Sequence, residues 1–403
     1  MININDALNI VIQETKVLDS EKKDILSCLN KVLAEDIYSK DNLPPFDKSA
    51  MDGYAIRSED TKDYSIDNII ELEVKGVIKA GSYCNEELSS GTAFKIMTGA
   101  PIPKGADAVI EIEKVKTEEN KLYISEVVKS GNHIIKLGEE ITSGQLALEK
   151  GKVIRPVEIG FLASLGYSSI KVYKSPVVAL IITGDELVDI DSSLEKGKIR
   201  NSNEYSLKAL ISNLQGEVLS LGIVSDNKEI LTEKVKYALE KADIVISSGG
   251  ASVGDYDFIE DILKELGADI KFNSVAIKPG KPATFATYKN KLYFSLPGNP
   301  LSLITTFEQL VKPAIEKMMG KRDLNNEEIP VVLTSDFKTK IGRRNYIYIE
   351  LRKENGAYYA YKLGSQSSSA LMTMSKANGL IIVPEECGEV KAGEILSGKF
   401  IFE

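Results

Sequence analysis

The stretch that decides the fold of this chain is DIVISSGGASVGDYD, residues 243–257. Residues 243–246 predict a short buried strand, the Ser and Gly residues after them predict a turn, and the apolar residues from Phe258 to Leu266 recur with helical spacing. A strand, a glycine-rich turn and a helix point backbone N–H groups and a helix N-terminus at one spot, which favours an anion such as phosphate. The glycine spacing matches neither the dinucleotide fingerprint nor the Walker A loop, and a turn that needs glycine only for packing is the alternative.

Around this stretch, strands and helices alternate from Val177 onwards, which predicts a doubly wound α/β sheet of parallel strands. In such sheets the ligand lies beyond the carboxyl ends of the strands. Glu186, Asp226 and the loop 249–257 each follow directly on a predicted strand, so we expect them to share one edge. Carboxylates beside a phosphate site indicate a hard cation such as Mg²⁺, whereas capping of the next helix is the alternative. Asp257 is a candidate ligand of that cation or a candidate acid–base group.

Two further turns add features that suit an anion. The segment KPGKP, residues 278–282, sets Lys278 and Lys281 three positions apart on a stiff turn, and lysine ammonium groups are suitable partners for oxyanions. A solvated lysine pair is the alternative. The segment PGNPLS, residues 297–302, follows a predicted strand and opens a helix, which offers a second helix N-terminus.

The other parts of the chain predict helices at the start and β-structure elsewhere. Residues 1–40 carry two apolar stripes with helical spacing, Ala7 to Ile12 and Ile25 to Leu33, so we expect two helices there. Between residues 65 and 136, short apolar runs alternate with turns, which predicts a β domain. After residue 325, further short strands predict a small barrel or sandwich.

The composition narrows the classes of function. The chain has 403 residues, of which 43% are hydrophobic, so it can bury several cores. We find no apolar run long enough for a membrane span and no signal peptide, so we expect a cytoplasmic protein without a membrane partner. A net charge of −9 argues against a nucleic-acid partner. Three scattered cysteines and a single histidine, His133, argue against a zinc site of the usual kind and against a histidine-based triad.

Seven segments in order along almost the whole chain together resemble the molybdopterin molybdenumtransferase family, the MoeA and gephyrin E-domain type. No single segment decides the matter, but seven in family order are specific. They are PPFDKSAMDGYA (44–55), KIMTGAPIP (95–103), GADAV (105–109), TGDEL (183–187), SGGASVGDYD (248–257), KPGKP (278–282) and PGNPLS (297–302).

The resemblance implies a multidomain fold of mixed α/β and β structure. It consists of a helical linker domain (1–45 and 138–173) with an inserted β domain (46–137), a doubly wound molybdopterin-binding α/β domain (174–322) and a small C-terminal β-barrel (323–403). It also implies a homodimer in which the site lies in a cleft between subunits.

The resemblance implies a Mg²⁺-dependent transferase of molybdenum cofactor biosynthesis. Such an enzyme takes adenylylated molybdopterin and molybdate, inserts the molybdenum and releases AMP. Its expected protein partners are the adenylating molybdopterin enzyme and apo-molybdoenzymes. Alternatives are a scaffold protein of the gephyrin type, an insertase specific for tungstate, and another pterin or nucleotide enzyme built on the same α/β domain.

Matched segment by segment, the resemblance implies three sets of site residues. Asp52 and Thr98 rest on it alone, and Glu140 stands where the family commonly has Asp. The loop 366–370 is atypical of the family, so no site residue is carried onto it. The expected catalytic residues are Asp52, Thr98, Glu186, Asp226 and Asp257. The expected substrate-binding residues are Gly249, Gly250, Ser252, Lys278, Lys281, Asn299, Ser302 and Glu140. The expected Mg²⁺ ligands are Glu186, Asp226 and Asp257, and the residue that orients the attacking oxygen is left open between Asp226 and Asp257.

Overall fold

The computed structural model describes residues 1–249, 258–324 and 328–401. The chain folds into two compact units. The first comprises Met1–Ala34, Gly151–Arg155 and Ile170–Glu403, and the second comprises Glu35–Lys150 and Pro156–Ser169.

The first unit is built on a six-stranded sheet formed by β1 (Val177–Thr183), β2 (Glu217–Val224), β3 (Ile244–Ser248), β4 (Asp269–Ser274), β5 (Pro282–Tyr288) and β6 (Lys291–Leu296). In space, the strands lie in the order β2-β1-β3-β6-β5-β4. β1, β2, β3 and β6 are parallel to one another, whereas β5 runs antiparallel to both β6 and β4, so the sheet is mixed where the sequence predicts parallel strands. The central strands are apolar on both faces because helices cover both sides.

Two hydrophobic cores flank this sheet. One contains Leu207 and Ile211 of the helix Ser202–Asn213 together with Ile4, Ala7 and Val11 from the N-terminal helix. The other lies under helices on the opposite face, which bury Leu231, Val235 and Ile262 among others. The remaining helices of this part of the chain are Ile4–Glu14, Lys228–Lys241, Ile259–Glu265, Pro300–Thr306 and Lys312–Met318, the last two joined by a π-turn, Phe307–Val311.

The C-terminal strands of the first unit form a closed barrel, as the sequence predicts. Five strands pair in a ring because Arg344–Glu354 bonds with strands on both sides. The short strand Ile277–Lys278 adds to the same sheet by pairing with Arg344 and Asn345. The barrel strands are Ile329–Leu333, Arg344–Glu354, Ala357–Lys362, Gly379–Val383 and Ile395–Phe400, accompanied by the helix Leu371–Lys376 and the paired strands Phe337–Lys338 and Glu389–Val390.

The second unit contains the predicted β domain. Its six-stranded sheet buries apolar side chains on both faces, in two separate clusters. In spatial order its strands are Ala108–Glu111, Gly53–Ile56, Thr92–Ile96, Ile70–Ile78, Lys121–Ile124 and Val115–Glu118. Outside the sheet lie the paired strands Lys48–Ser49 with Ile134–Ile135 and Ile37–Tyr38 with Leu146–Leu148, and the helix Pro156–Ser164.

One sequence prediction in the N-terminal part is wrong. The stripe from Ile25 to Leu33 does not form a second helix, because Ser20–Asp24 is a strand and only Ile25–Cys28 is a short 3₁₀ turn. Leu26 and Leu29 are exposed, while Val32 and Leu33 are buried through bridges to Val153 and Val172. Pairing with distant parts of the chain therefore overrides the local spacing. The predicted domain boundaries remain predictions.

Among the helices of the described residues, none is long and apolar enough to cross a membrane.

Candidate active site

The carboxyl edge of the sheet in the first unit gathers the predicted α/β site. The parallel strands end at Thr183, Val224, Ser248 and Leu296, and a loop leaves each strand on that side. β5 runs the other way and starts at Pro282, so Lys281 also reaches this edge. The topology thus brings Glu186, Asp226, Gly249 and Lys281 to one side of the sheet, as the sequence predicts.

The glycine turn packs closely against β1. Gly249 has a φ of +96°, and a Cβ at this position would lie 2.4 Å from the carbonyl oxygen of Thr183. The Gly249 N–H donates to the carbonyl of Leu296 at 3.3 Å, and the hydroxyl of Thr183 donates to the carbonyl of Ser248 at 3.5 Å. Glycine is required here by both conformation and space. Gly250, Ser252 and Asp257, which the sequence also assigns to the site, lie outside the described residues.

Three carboxylates converge where β1 and β2 end. The backbone N–H of Asp226 donates to a carboxylate oxygen of Asp185 at 3.4 Å. Burial raises the pKa of Asp226, the charges of Asp185 and Glu186 raise it further, and a hydrogen bond from the Asp185 backbone opposes them. Asp185 is exposed and was not predicted as a site residue, although it lies within the TGDEL segment. The sequence carried a signal for Asp185, because this residue follows the end of the same strand as Glu186.

Among the described residues, these carboxylates do not form a complete set of metal ligands. Within residues 1–249, 258–324 and 328–401, no group of three or more His, Cys, Asp or Glu side chains is arranged to hold a metal ion. Two of the expected ligands, Glu186 and Asp226, are described, and the third, Asp257, is not. The Mg²⁺ site therefore remains a prediction.

The KPGKP turn links the α/β sheet to the barrel. Lys278 is paired with Asn345 in the barrel sheet, while the carbonyl of Lys281 accepts from the N–H of Val275 beside β4. Both lysine side chains are exposed. A recess of about 490 Å³ opens against this turn and is lined by Lys278, Lys338 and Lys362 among other residues. Asp336 and Glu389 also line the recess, so its charge is mixed.

The turn after β6 contributes Asn299 and Ser302. Asn299 precedes the helix Pro300–Thr306, and its side chain is exposed and forms no capping hydrogen bond within the described part of the chain. Ser302 is 5% exposed, inside the first turn of the helix. The N–H of Leu301 donates to the carbonyl of Ser368 at 2.9 Å, so the serine-rich loop that the sequence analysis left unassigned lies at this helix start.

A residue that the sequence analysis missed connects these turns. Asn203, in the first turn of the helix Ser202–Asn213, donates from its Nδ2 to the hydroxyl of Ser248 at 2.9 Å and to the carbonyl of Gly298 at 2.8 Å. Its sequence context, Asn201-Ser202-Asn203, predicts a helix start, and Asn201 is indeed the cap. Sequence alone therefore gave Asn203 no separate role.

In the second unit, Asp52 and Thr98 are brought together. Asp52 lies directly before the strand Gly53–Ile56, and Thr98 lies just after the adjacent strand Thr92–Ile96. The backbone N–H and the hydroxyl of Thr98 both donate to one oxygen of Asp52, at 2.7 and 2.9 Å. These bonds, and then the charge of Lys95, hold the pKa of Asp52 below its usual value. Asp52 is thus kept ionised and oriented.

Glu140 lies apart from this pair in what the structure describes. Its side chain is exposed, and its backbone N–H donates to the carbonyl of Leu43 at 3.0 Å. Among the described residues, no hydrogen bond joins the Glu140 side chain to Asp52 or Thr98. Its expected role in substrate binding stays a prediction.

Comparison with known families covers almost the whole chain. Residues 2–166 match the family model described as the MoeA N-terminal region (domain I and II). Residues 179–317 match the model described as "Probable molybdopterin binding domain". Residues 330–397 match the model described as the MoeA C-terminal region (domain IV).

Similar proteins agree with these matches. A protein of Haemophilus influenzae named molybdopterin molybdenumtransferase is 38% identical over 384 residues, which cover 94% of this chain and 93% of the relative. A protein of Staphylococcus aureus with the same name is 37% identical over 392 residues, covering 97% and 94%. A crystal structure of the molybdopterin biosynthesis MoeA protein from Pyrococcus horikosii superposes with a TM-score of 0.84 at 30% identity and covers 100% of both chains.

Proposed function

This chain belongs to the MoeA family, and on that premise we propose that it is a molybdopterin molybdenumtransferase that inserts molybdate into adenylylated molybdopterin and releases AMP. It is a transferase of molybdenum cofactor biosynthesis. The observation that carries the proposal is the carboxyl edge of the sheet, where the Gly249 turn, the carboxylates Glu186 and Asp226, and Lys281 meet. An edge of this kind can hold a phosphate group beside a second oxyanion.

In the proposed reaction, the positively charged groups bind the oxyanions and a carboxylate orients the attacking oxygen. Backbone N–H groups at the glycine turn and the ammonium groups of Lys278 and Lys281 would neutralise the phosphate of the pterin and the molybdate. An oxygen nucleophile attacks phosphorus in the phosphoanhydride, the bond to the bridging oxygen breaks, and AMP leaves. Asp226 or Asp257 would orient the attacking oxygen. Holding both oxyanions in one cleft supplies much of the rate through proximity.

Mg²⁺ is part of the proposal, because the donor set suits a hard cation. Burial raises the pKa of Asp226, the charges of Asp185 and Glu186 add to this rise, and carboxylates are the ligands that such a cation prefers. Glu186 and Asp226, together with Asp257, would hold the ion. When bound, it would supply positive charge near the departing phosphate.

The assembly is proposed as a homodimer with each cleft completed by the second copy. This assigns a purpose to Asp52 and Thr98, which form a hydrogen-bonded pair in the second unit. The adenylating molybdopterin enzyme and apo-molybdoenzymes are the proposed partners before and after the reaction, and the cytoplasm is the proposed compartment. The full-length relatives favour this enzyme over the scaffold of the gephyrin type.

The test is an incubation of the purified chain with adenylylated molybdopterin, Mg²⁺ and either molybdate or tungstate. We expect AMP release and incorporation of molybdenum, both dependent on Mg²⁺ and on the oxyanion. Equal or faster turnover with tungstate would move the assignment to a tungstate insertase. A folded protein that releases no AMP with either oxyanion would overturn the proposed function.

A further inference from the structure

The side chain of Asn203 links two separate turns at the carboxyl edge. The residue is 8% exposed, and its amide nitrogen donates both to the hydroxyl of Ser248 and to the carbonyl of Gly298. Ser248 is the last residue of β3, directly before Gly249, and Gly298 lies in the turn between β6 and the helix Pro300–Thr306. One buried amide thus spans the two turns assigned to anion binding.

The two turns approach each other closely enough for their spacing to matter. A Cβ on Gly298 would lie 3.8 Å from the Cα of Gly249, which is ordinary van der Waals contact. The strands that lead into the turns pair in the sheet as far as Ser248 and Leu296, and the Gly249 N–H donates to the Leu296 carbonyl at 3.3 Å. Beyond the strand ends, the side chain of Asn203 joins the two segments through contacts of 2.9 and 2.8 Å. We therefore expect Asn203 to hold the turns in place beyond the point where the strand pairing ends.

The chemistry of the contacts explains why an amide is needed. The carbonyl of Gly298 only accepts hydrogen bonds, so the Nδ2 of Asn203 must face it. The Oδ1 is buried and has no hydrogen-bond partner among the described residues. A buried acceptor without a partner is unfavourable, so the two hydrogen bonds donated by Nδ2 must offset this cost. An aspartate or a serine at this position could not donate two hydrogen bonds.

We propose that Asn203 is a positioning residue for the substrate's phosphate group, which it serves by clamping the Gly249 and Gly298 turns at a fixed separation. The role rests on the proposed function, because the phosphate in question is that of adenylylated molybdopterin. Asn203 itself does not touch the substrate in this proposal. It acts by holding the two turns in position relative to each other.

The kinetic test is Asn203→Ala, with Asn213→Ala as the matched control at the exposed last position of the same helix. Loosened turns bind the phosphate less well in the ground state and in the transition state alike, so KM should rise while kcat changes little. We expect KM for adenylylated molybdopterin to rise about tenfold, as for the loss of one hydrogen bond to a charged group, and kcat to stay within about twofold. A merely structural role would instead lower the active fraction and leave KM unchanged.

A second measurement does not depend on activity. In hydrogen–deuterium exchange, Asn203→Ala should speed the exchange of the Gly249 amide, which donates to the Leu296 carbonyl, and Asn213→Ala should not. Wild-type exchange at this amide together with wild-type KM in the folded Asn203→Ala protein would overturn the proposal. If the wild type releases no AMP, the proposed function fails, and exchange alone decides whether Asn203 clamps the turns.

Ser248→Ala covers the case in which Asn203→Ala does not fold. It removes one of the two contacts and leaves the bond from Asn203 to Gly298. We expect it to raise KM by about threefold, and to add less than its own effect when combined with Asn203→Ala, because both changes break the same contact. An unchanged KM in Ser248→Ala, or full additivity in the double variant, would count against the clamp.

Discussion

At the scale of single residues, the pair Asp52–Thr98 gives a direct prediction for a pKa. Thr98→Val removes the hydroxyl bond to the Asp52 carboxylate and keeps the backbone N–H bond. Because hydrogen bonds to the ionised form lower the pKa of a carboxyl group, its pKa should rise towards its usual value. The rise can be followed by NMR titration of the Asp52 carboxyl carbon, and AMP release should fall about tenfold.

Thr117→Val, at an exposed position of the strand Val115–Glu118, is the control for this change. It should leave both the Asp52 titration and the AMP release as in the wild type. An Asp52 that titrates normally in the wild type would contradict the contact itself. A shifted pKa with unchanged turnover would instead remove Asp52 from the catalytic set.

Asp226 gives a prediction in which stability and activity move in opposite directions. Its pKa is higher in the folded than in the unfolded chain, so the ionised carboxylate destabilises the fold. This cost is absent below the unfolded-state pKa near 3.8 and is fully present above the folded-state pKa. Asp226→Asn should therefore raise Tm at neutral pH, by an amount that shrinks as the pH falls towards about 4. AMP release should fall about 10²-fold.

The matched control for Asp226→Asn is Asp67→Asn, at an exposed position of the second unit. It should change neither the pH profile of Tm nor the rate. If Asp226→Asn lowered Tm at neutral pH, the carboxylate would stabilise the fold. The view that Asp226 lowers stability but is needed for AMP release would then be wrong.

The site residues that the sequence could assign follow predicted strand ends. The one that it could not assign, Asn203, is defined by contacts between distant segments. Glu186 and Asp226 follow strand ends, so topology alone places them at one edge. Asn203 could not be assigned from the sequence, because its partners, Ser248 and Gly298, are distant in sequence and its local context indicates only a helix start. A contact across two loops has no local spacing that could reveal it.

At the scale of elements, the glycine turn after β3 is the most restrictive feature. Gly249→Ala would force a side chain into a positive φ and place its Cβ 2.4 Å from the Thr183 carbonyl and 2.7 Å from its hydroxyl. We expect a loss of about 3 kcal/mol in the free energy of unfolding, measured by urea denaturation. Gly298→Ala, whose nearest neighbour would be 3.8 Å away, should cost less than about 1 kcal/mol. Equal stability of the two variants would contradict the packing described for this turn.

The elements that sequence spacing predicts well are those whose pattern is local and long. The alternation after Val177 predicts the parallel strands β1, β2, β3 and β6, because each must bury a continuous apolar face, but not the antiparallel β5 beside them. The stripe from Ile25 to Leu33 fits a helix equally well by spacing, yet its ends pair with Val153 and Val172. The spacing of a short apolar run therefore does not distinguish a helix from an extended segment that pairs with distant parts of the chain.

At the scale of the whole molecule, the proposed intersubunit cleft can be tested by mixing two inactive variants. Asp52→Ala and Asp226→Ala each remove one wall of every cleft if the cleft forms between two copies. After the variants are mixed and allowed to exchange subunits, half of the dimers carry one intact cleft of two, so activity should recover to about a quarter of the wild type. A site contained within one subunit would show no recovery, and a variant mixed with itself is the control.

The two lysines of the KPGKP turn belong to different sheets. Lys278 is hydrogen-bonded into the barrel, and Lys281 is tied beside β4 and leads into β5, with only Pro279 and Gly280 between them. The backbone positions of the two lysines therefore follow how the barrel packs on the α/β sheet. A substitution at the contact between the barrel and the sheet would shift one lysine relative to the other, and so alter the oxyanion site proposed for them.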